Sequence, residues 1–317
     1  MILLSQTVAH PPGLERVGVE APQPRRRNWR QSETTAAWLF LLPAVFGFVT
    51  FYLLPLIRGI YLSVTDWDLL SVPNFVGLEN FQRLFTDKLF WNSLVVTAEY
   101  VILNIGFQTV LAILIAVLMD RLTRSMAVRG TLLLPYLIPN VVVGLIWFWM
   151  LDLQLGISNQ FLQAIGLSPI PFLGSTTWAI PAIAAINIWR HMGYTALLVY
   201  AGLQAIPKTA YEAAAMDGAS EWQMFWRITL PLLRPVLAVV LVITMIGSFQ
   251  IFDTVAVTTK GGPVNATRVI YYYIFQKAFD QFEFGYAAAI ALVLMVILVG
   301  VTFVQLKLLR AGESDLA

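Results

Sequence analysis

Long apolar runs separated by short polar stretches make up most of this chain. Six runs are long enough to cross about 30 Å of hydrocarbon at about 1.5 Å per residue. They cover 36–57, 94–119, 131–151, 178–203, 236–257 and 284–306. The third contains Pro135 and Pro139 and the fourth Pro181. Membrane helices tolerate proline where neighbours satisfy the freed carbonyls. The pattern predicts an all-α, polytopic membrane protein with six transmembrane helices. It divides the chain into a polar tail over 1–35, a first helix over 36–57 and an outer loop over 58–93. A helical core over 94–310 and a short tail over 311–317 follow. Two stretches between the runs, 80–85 and 158–165, read as brief amphipathic surface helices.

Composition agrees with this reading. The chain is 58% hydrophobic and 12% charged, where a soluble domain carries about 25% charged residues. It has no cysteine, so disulfides, thiol catalysis and thiolate metal sites are excluded. Arg25, Arg26, Arg27 and Arg30 precede the first run. Residues 1–4 are too short for the apolar region of a signal peptide and no charged segment precedes them. The tail is therefore expected to be disordered and cytoplasmic. With the N-terminus inside, the inner segments hold 13 Lys and Arg residues and the outer loops 6. Both termini are predicted to be cytoplasmic. Asp66, Trp67 and Asp68 read as an interfacial anchor at the outer end of the first run.

The segment 206–235 cannot span a membrane, and the charge pattern places it in the cytoplasm. Residues 208–217 are good helix formers, and Ala213, Ala214 and Ala215 give them a smooth face. Gly218 supplies the left-handed residue that ends a helix. Ser220 and Gln223 fit a capping box for a second short helix, which carries Trp222, Phe225 and Trp226 and is expected to stop at Pro231. The expected product is a helix–turn–helix hairpin with Glu212 and Asp217 at its polar edge. Two uses fit it: docking to a soluble protein, or adsorption to the lipid surface. The two acids argue against adsorption to an anionic leaflet.

Polar residues interrupt several runs. Asn187, Arg190, His191 and Tyr194 follow i, i+3, i+4, i+7 and share one helical face. An arginine at the middle of a span costs about 2.5–3.5 kcal/mol, so this face should meet the bundle or a water-filled cavity. Arg190 fits either a solute pathway or a buried ion pair with Glu99, the one acid deep in another run. Tyr100, Asn104 and Gln108 line one face of the second run, where Asn104 and Gln108 read as hydrogen-bonding glue between helices. Asn140 lies in the third run. Thr244, Ser248, Gln250 and Asp253 lie in the fifth.

The segment 211–231 closely resembles the Glu-Ala-Ala motif of permease subunits in binding-protein-dependent ABC importers. The motif's residues are Glu212, Ala213 and Ala214, its glycine is Gly218, and its Ile-x-Leu-Pro is Ile228, Thr229, Leu230 and Pro231. AGLQAIP at 201–207, KGGPVNAT at 260–267, FGYAAAIA at 284–291 and FVGLENF at 75–81 are similar to carbohydrate importers of the maltose and glycerol-3-phosphate type. The likeness runs from about 37 to 309. It implies the type I importer (MetI-like) permease fold in a prokaryotic plasma membrane. It implies a coupling hairpin formed by Tyr211, Glu212, Ala213, Ala214, Asp217, Gly218, Ile228, Leu230 and Pro231, with Glu212 meeting a basic residue of an ATPase. It further implies sugar contacts on the fourth and fifth helices, at Asn187, Trp189, Arg190, Tyr194, Ser248, Gln250 and Asp253.

The chain is then expected to be a transporter subunit without catalytic residues, cofactor or metal of its own. No phosphate-binding loop occurs, since Gly261-Gly262-Pro263 lacks the lysine and hydroxyl residue that cradle phosphate. ATP and Mg are expected on a partner ATPase. Implied partners are a second homologous permease, two cytoplasmic ATPase subunits, an extracytoplasmic solute-binding protein, a sugar substrate and the lipid bilayer, with no nucleic acid. The binding protein is expected to dock near 152–177 and 258–282. The rival reading is a secondary transporter or channel not driven by ATP. That class should show an inverted repeat, an acid relay or a selectivity filter, and none is evident in the sequence. An intramembrane enzyme is disfavoured because His10 and His191 are the only histidines, too few for a metal or nucleophile constellation.

Overall fold

A computed structural model of the chain describes residues 29–122 and 125–308. Of the tails expected at 1–35 and 311–317, residues 1–28 and 311–317 fall outside the described residues, and with them the side of the membrane on which the termini lie; residues 29–35, expected as tail, instead open the first helix. The chain divides into two units, Met1–Pro55 and Leu56–Ala317. The described part of the first is helix α1 (Trp29–Phe48), followed by a π-helical turn over Val49–Leu53 and the start of α2 (Leu54–Ser63). Trp38, Phe40, Phe46 and Phe51 are exposed on it, as an apolar helix in hydrocarbon would be.

The second unit begins within α2. A two-residue antiparallel ladder, β1 (Thr65–Asp66) with β2 (Asn74–Phe75), pairs Thr65 with Phe75. Asn80, in the short helix α3 (Glu79–Thr86), donates to the carbonyls of Ser63 and Thr65 and fastens this outer piece. The long α4 (Lys88–Leu122) follows, then α5 (Met126–Leu137), α6 (Asn140–Met150) and the surface helix α7 (Ile157–Ala164). Next come α8 (Ala179–Gln204) and the hairpin of α9 (Lys208–Met216), α10 (Glu221–Met224), a π turn (Phe225–Thr229) and α11 (Leu230–Leu232). Helices α12 (Arg234–Phe249), α13 (Asp253–Thr258) and α14 (Ile270–Phe275), a π turn (Gln276–Asp280) and α15 (Phe284–Leu308) complete it. Both expected surface helices are present, as α3 and α7.

Among the described residues, four helical stretches are long and apolar enough to cross a membrane: Thr34–Ser63, Lys88–Leu122, Arg234–Thr258 and Phe284–Leu308. The third expected span is not one rod. It breaks into α5 and α6, bent by 89°, because Pro139 has no N–H to continue the ladder and steers Ile138 to extended backbone (φ −76°, ψ 134°). The fifth is interrupted over 250–252 between α12 and α13. The fourth is the 26-residue α8; it is long enough to cross but is diluted by Asn187, Arg190 and His191. Six crossings thus require α8 and the bent pair each to count as one.

The core lies where α4 runs along α8. Gly193 permits the neighbouring contact with α5: a Cβ there would lie 1.8 Å from the carbonyl oxygen of Leu132. A polar clamp closes the end of the bundle formed by α3, α14 and the start of α15. Asp87 accepts hydrogen bonds from the hydroxyls of Tyr273 (2.5 Å) and Tyr286 (2.6 Å). Glu283 pairs with Arg83 (2.9 Å) and Lys277 (3.1 Å), and the Arg83 guanidinium lies 4.1 Å from the centre of the Tyr286 ring. Partial burial disfavours the charge on Asp87, yet the two tyrosine hydroxyls and the N–H groups of Phe90 and Leu89 outweigh it and hold the carboxyl below its ordinary value. Burial likewise opposes ionisation of Glu283, and Arg83 and Lys277 more than compensate. Burial and the adjacent Asp87 together push the Tyr273 phenol up.

Candidate functional site: a polar cavity and the hairpin joined to it

A cavity of about 350 Å³ opens among α4, the α5–α6 break, α8 and the α12–α13 break. Its wall is mostly amides, hydroxyls and aromatic rings. From α4 come Tyr100, Asn104 and Gln108; from the first break, Tyr136 and Asn140; from α8, Asn187, His191, Tyr194 and Thr195. From α12 and beyond come Thr244, Ser248, Gln250, Phe252, Asp253 and Thr254. Both helix breaks face this cavity. Irregular backbone at membrane depth is tolerated only where it is buried in protein or lines water, which accounts for their position. The broken ends also meet each other, because Asn140 at the start of α6 donates to Asp253 at the start of α13 (3.0 Å).

The polar wall is partly self-satisfied. Asn104 donates to Gln108 (3.1 Å) and to Ser248 (2.9 Å), and Gln108 donates to Thr195 (2.8 Å). These bonds join α4 to α12 and α8, as expected of interhelical glue, while the same groups line the cavity. Asn187 donates to Ile183 O (3.0 Å) and to Thr254 Oγ1 (3.3 Å), tying α8 to α13. Tyr136 and Tyr194 stack with ring centres 4.4 Å apart and planes within 9°. Two acceptors in the wall, Asn104 Oδ1 and Asn140 Oδ1, are buried with no partner among the described residues.

Arg190 has a structural post. Its Nε donates to Ile138 O and its Nη2 to Tyr136 O, both at 3.0 Å, and its Nη1 donates to His191 Nε2 at 2.8 Å. In an unbroken helix those carbonyls would accept from residues four positions on. The break frees them, and the guanidinium fork satisfies them at the negative end of the half-helix α5. Because arginine is always the donor, His191 Nε2 is the acceptor and Nδ1 carries the proton donated to Asn187 O (2.9 Å). The ion pair with Glu99 does not form: Glu99 is exposed, and the partners of Arg190 are carbonyls and a neutral imidazole.

Five of the seven residues expected on the solute path line the cavity: Asn187, Tyr194, Ser248, Gln250 and Asp253. Trp189 and Arg190 do not. Trp189 turns to the opposite side, edge-on to Trp147 (5.5 Å), beside Val143, Leu151, Ala182 and Ile186. The expected list had no place for Tyr136, His191, Thr195 or Thr254. His191 carried a usable signal, since it shares the face of Asn187 and Tyr194; Tyr136 carried none, because it reaches the wall only through the break at Pro139.

The hairpin directly connects α8 with α12, two walls of the cavity. The capping box is present, Ser220 accepting from the Gln223 N–H and Gln223 accepting from the Ser220 N–H. Gly218 has φ +76°, the conformation its turn requires. The second helix does not stop at Pro231. It passes through the π turn over Phe225–Thr229, in which the Leu230 N–H reaches back to Phe225 O, and continues as α11; the widened turn just before Pro231 lets the helix run past it. Glu212, Ala213, Asp217, Gly218, Trp222 and Trp226 are exposed, whereas Tyr211, Ala214, Ile228, Leu230 and Pro231 are half-buried. Tyr211 meets the Thr229 hydroxyl at 3.0 Å, and Leu230 packs on a cluster containing Leu203, Ile206 and Leu233. Arg121 at the end of α4 pairs with Glu221 (2.6 Å), and Gln204 at the end of α8 donates to Asp120 (2.6 Å). A crevice of about 390 Å³ lies between hairpin and α4, with Glu212, Asp120 and Arg121 in its wall.

Residues 108–310 match the family described as binding-protein-dependent transport system inner membrane component. A trehalose/maltose transport system permease protein of Thermococcus litoralis is 34% identical over 281 residues, 88% of this chain and 95% of that protein. An sn-glycerol-3-phosphate transport system permease protein of Agrobacterium fabrum is 33% identical over 85% of this chain and 93% of its own length. Among solved structures, a chain of a bacterial alginate ABC transporter, in complex with an alginate pentasaccharide-bound periplasmic protein, superposes with a TM-score of 0.80. It is 25% identical, and the match covers 91% of this chain and 99% of that one.

Proposed function

The chain belongs to the family of inner membrane components of binding-protein-dependent transport systems, and on that footing we propose that it is the membrane-spanning subunit of an ATP-driven importer for a sugar or sugar-like solute. The observation that carries this reading is the join between hairpin and cavity. An exposed helical hairpin forms the link between α8 and α12, and both helices contribute hydroxyls and amides to the polar cavity. A force applied at the hairpin therefore reaches the solute path through two continuous helices.

Glu212, with Asp217 and the exposed alanine face, receives a cytoplasmic ATPase that binds ATP and Mg. The aromatic flank of Trp222 and Trp226 completes the docking face. Tyr211, Ile228, Leu230 and Pro231 root the hairpin, so that it moves as a body. Closure of two ATPases carries the hairpins with them and biases the helices between two access states. The other half of the path comes from a second, homologous permease, and an extracytoplasmic binding protein delivers the solute. Asn187, Tyr194, Ser248, Gln250 and Asp253 contact it in transit. Trp189 and Arg190 act one layer behind, holding the fourth helix against the broken third.

Because Glu212 is exposed, Glu212→Lys leaves the fold intact while reversing the charge offered to the ATPase. The expected outcome is loss of ATP-dependent uptake and of ATPase co-purification, with normal amounts of the chain in the membrane. Persistence of both would refute the coupling role.

A further inference from the structure

We propose that the cavity takes a neutral, hydroxyl-rich solute, bound as a hydrogen-bond donor to Asp253, and that it rejects anionic sugars and sugar phosphates. The proposal rests on the import reading above and narrows its substrate class. Two observations carry it.

First, among the described residues, the cation beside the cavity, Arg190, is spent. All three nitrogens of the Arg190 guanidinium are engaged, by Ile138 O, Tyr136 O and His191 Nε2, and Arg190 is not part of the cavity wall. His191 is held neutral by the same arrangement. Among the described residues, no Lys or Arg lines the cavity to pair with a phosphate or carboxylate. Second, the charged side chain that does line it is Asp253, a carboxylate anchored by Asn140. An incoming anion meets like charge in a partly dehydrated space, where such repulsion is least screened. The Asp253 carboxylate is also an acceptor. Sugar hydroxyls supply donors to it, whereas ionised carboxylates and phosphates supply only acceptors. The Tyr136 and Tyr194 rings and Phe252 add flat apolar faces suited to the C–H side of a sugar ring. A fold shared with an alginate importer does not set this preference; the side chains at the breaks do.

The test uses cells carrying the partner permease, ATPase and binding protein, with or without this chain. They are fed maltose, trehalose, sn-glycerol 3-phosphate and a uronate disaccharide together with a mixed saccharide extract. Accumulated solutes are identified by mass spectrometry. The expected result is that every solute whose accumulation requires the chain is uncharged at pH 7. A chain-dependent phosphate ester or uronate would overturn the proposal and leave the import reading standing. If no solute depended on the chain, the import reading itself would fall, and the proposal with it. A second arm uses Asp253→Lys, with membrane abundance checked by immunoblot. Accumulation of the neutral solute should fall about tenfold or more, the scale of one lost polar contact made repulsive. Unchanged accumulation at normal abundance would remove Asp253 from the path.

Discussion

Arg190 and Glu99 differ sharply in what their removal should do. Arg190 satisfies two backbone carbonyls stranded by the α5–α6 break, so Arg190→Met leaves two buried acceptors without donors. Each such loss costs about 1–3 kcal/mol. The purified protein should melt at clearly lower temperature, whereas Glu99→Gln, at an exposed position, should change the melting point little. A charge swap between the two positions should rescue nothing. Gly193 gives a second test at this scale. Its Cβ would collide with the Leu132 carbonyl, a backbone atom that cannot swing away. Gly193→Ala should cost about 1–3 kcal/mol through forced separation of α5 and α8, read as a lower unfolding midpoint.

At the scale of elements, the two helix breaks and the hairpin were legible to different degrees. The hairpin's parts are local: the glycine turn, the capping box and the alanine face each follow from residues within four positions. Removing the cap by Ser220→Ala should cost about 1 kcal/mol. Because the cap is exposed, the effect should appear as faster amide exchange confined to Glu221–Met224 rather than global unfolding. The chain runs on past Pro231, where the sequence predicts a stop, because the π turn just before the proline widens the helix and lets it continue. The prolines of the third apolar run were visible too, yet an 89° bend was not, since a proline in a membrane helix is equally compatible with a mild kink. Which carbonyls the bend frees, and that an arginine from another helix reaches them, depends on how α5 and α8 pack.

For the whole molecule, the clamp of Asp87, Glu283, Arg83, Lys277, Tyr273 and Tyr286 ties α3, α4, α14 and α15 together at one end. Both carboxyls are held below their ordinary values in the folded protein. Groups with depressed folded values stabilise the protein above their unfolded values, about 4, and lose that contribution as pH falls through the lower folded values. Stability should therefore drop as pH is lowered through and below about 4, and Asp87→Asn combined with Glu283→Gln should flatten that drop. Thermal melts of wild type and double variant across this range would check it.

The sequence by itself determined the apolar spans, the membrane location, the two surface helices and the hairpin with its exposed acid. Each rests on periodicity, capping or turn chemistry between near neighbours. It also assigned the polar face of α8, because residues at i, i+4 and i+7 must point alike. Only the tertiary structure decided which polar residues share a cavity and which are spent holding the fold. Trp189 and Arg190 lie within a few residues of Asn187, yet a helix turns by about 100° per residue, and its neighbours determine which side becomes cavity. The pairing of Arg190 with carbonyls rather than Glu99, and of Asn140 with Asp253, joins positions 52 to 113 residues apart. No local pattern encodes such contacts; the packing of broken helices against whole ones does.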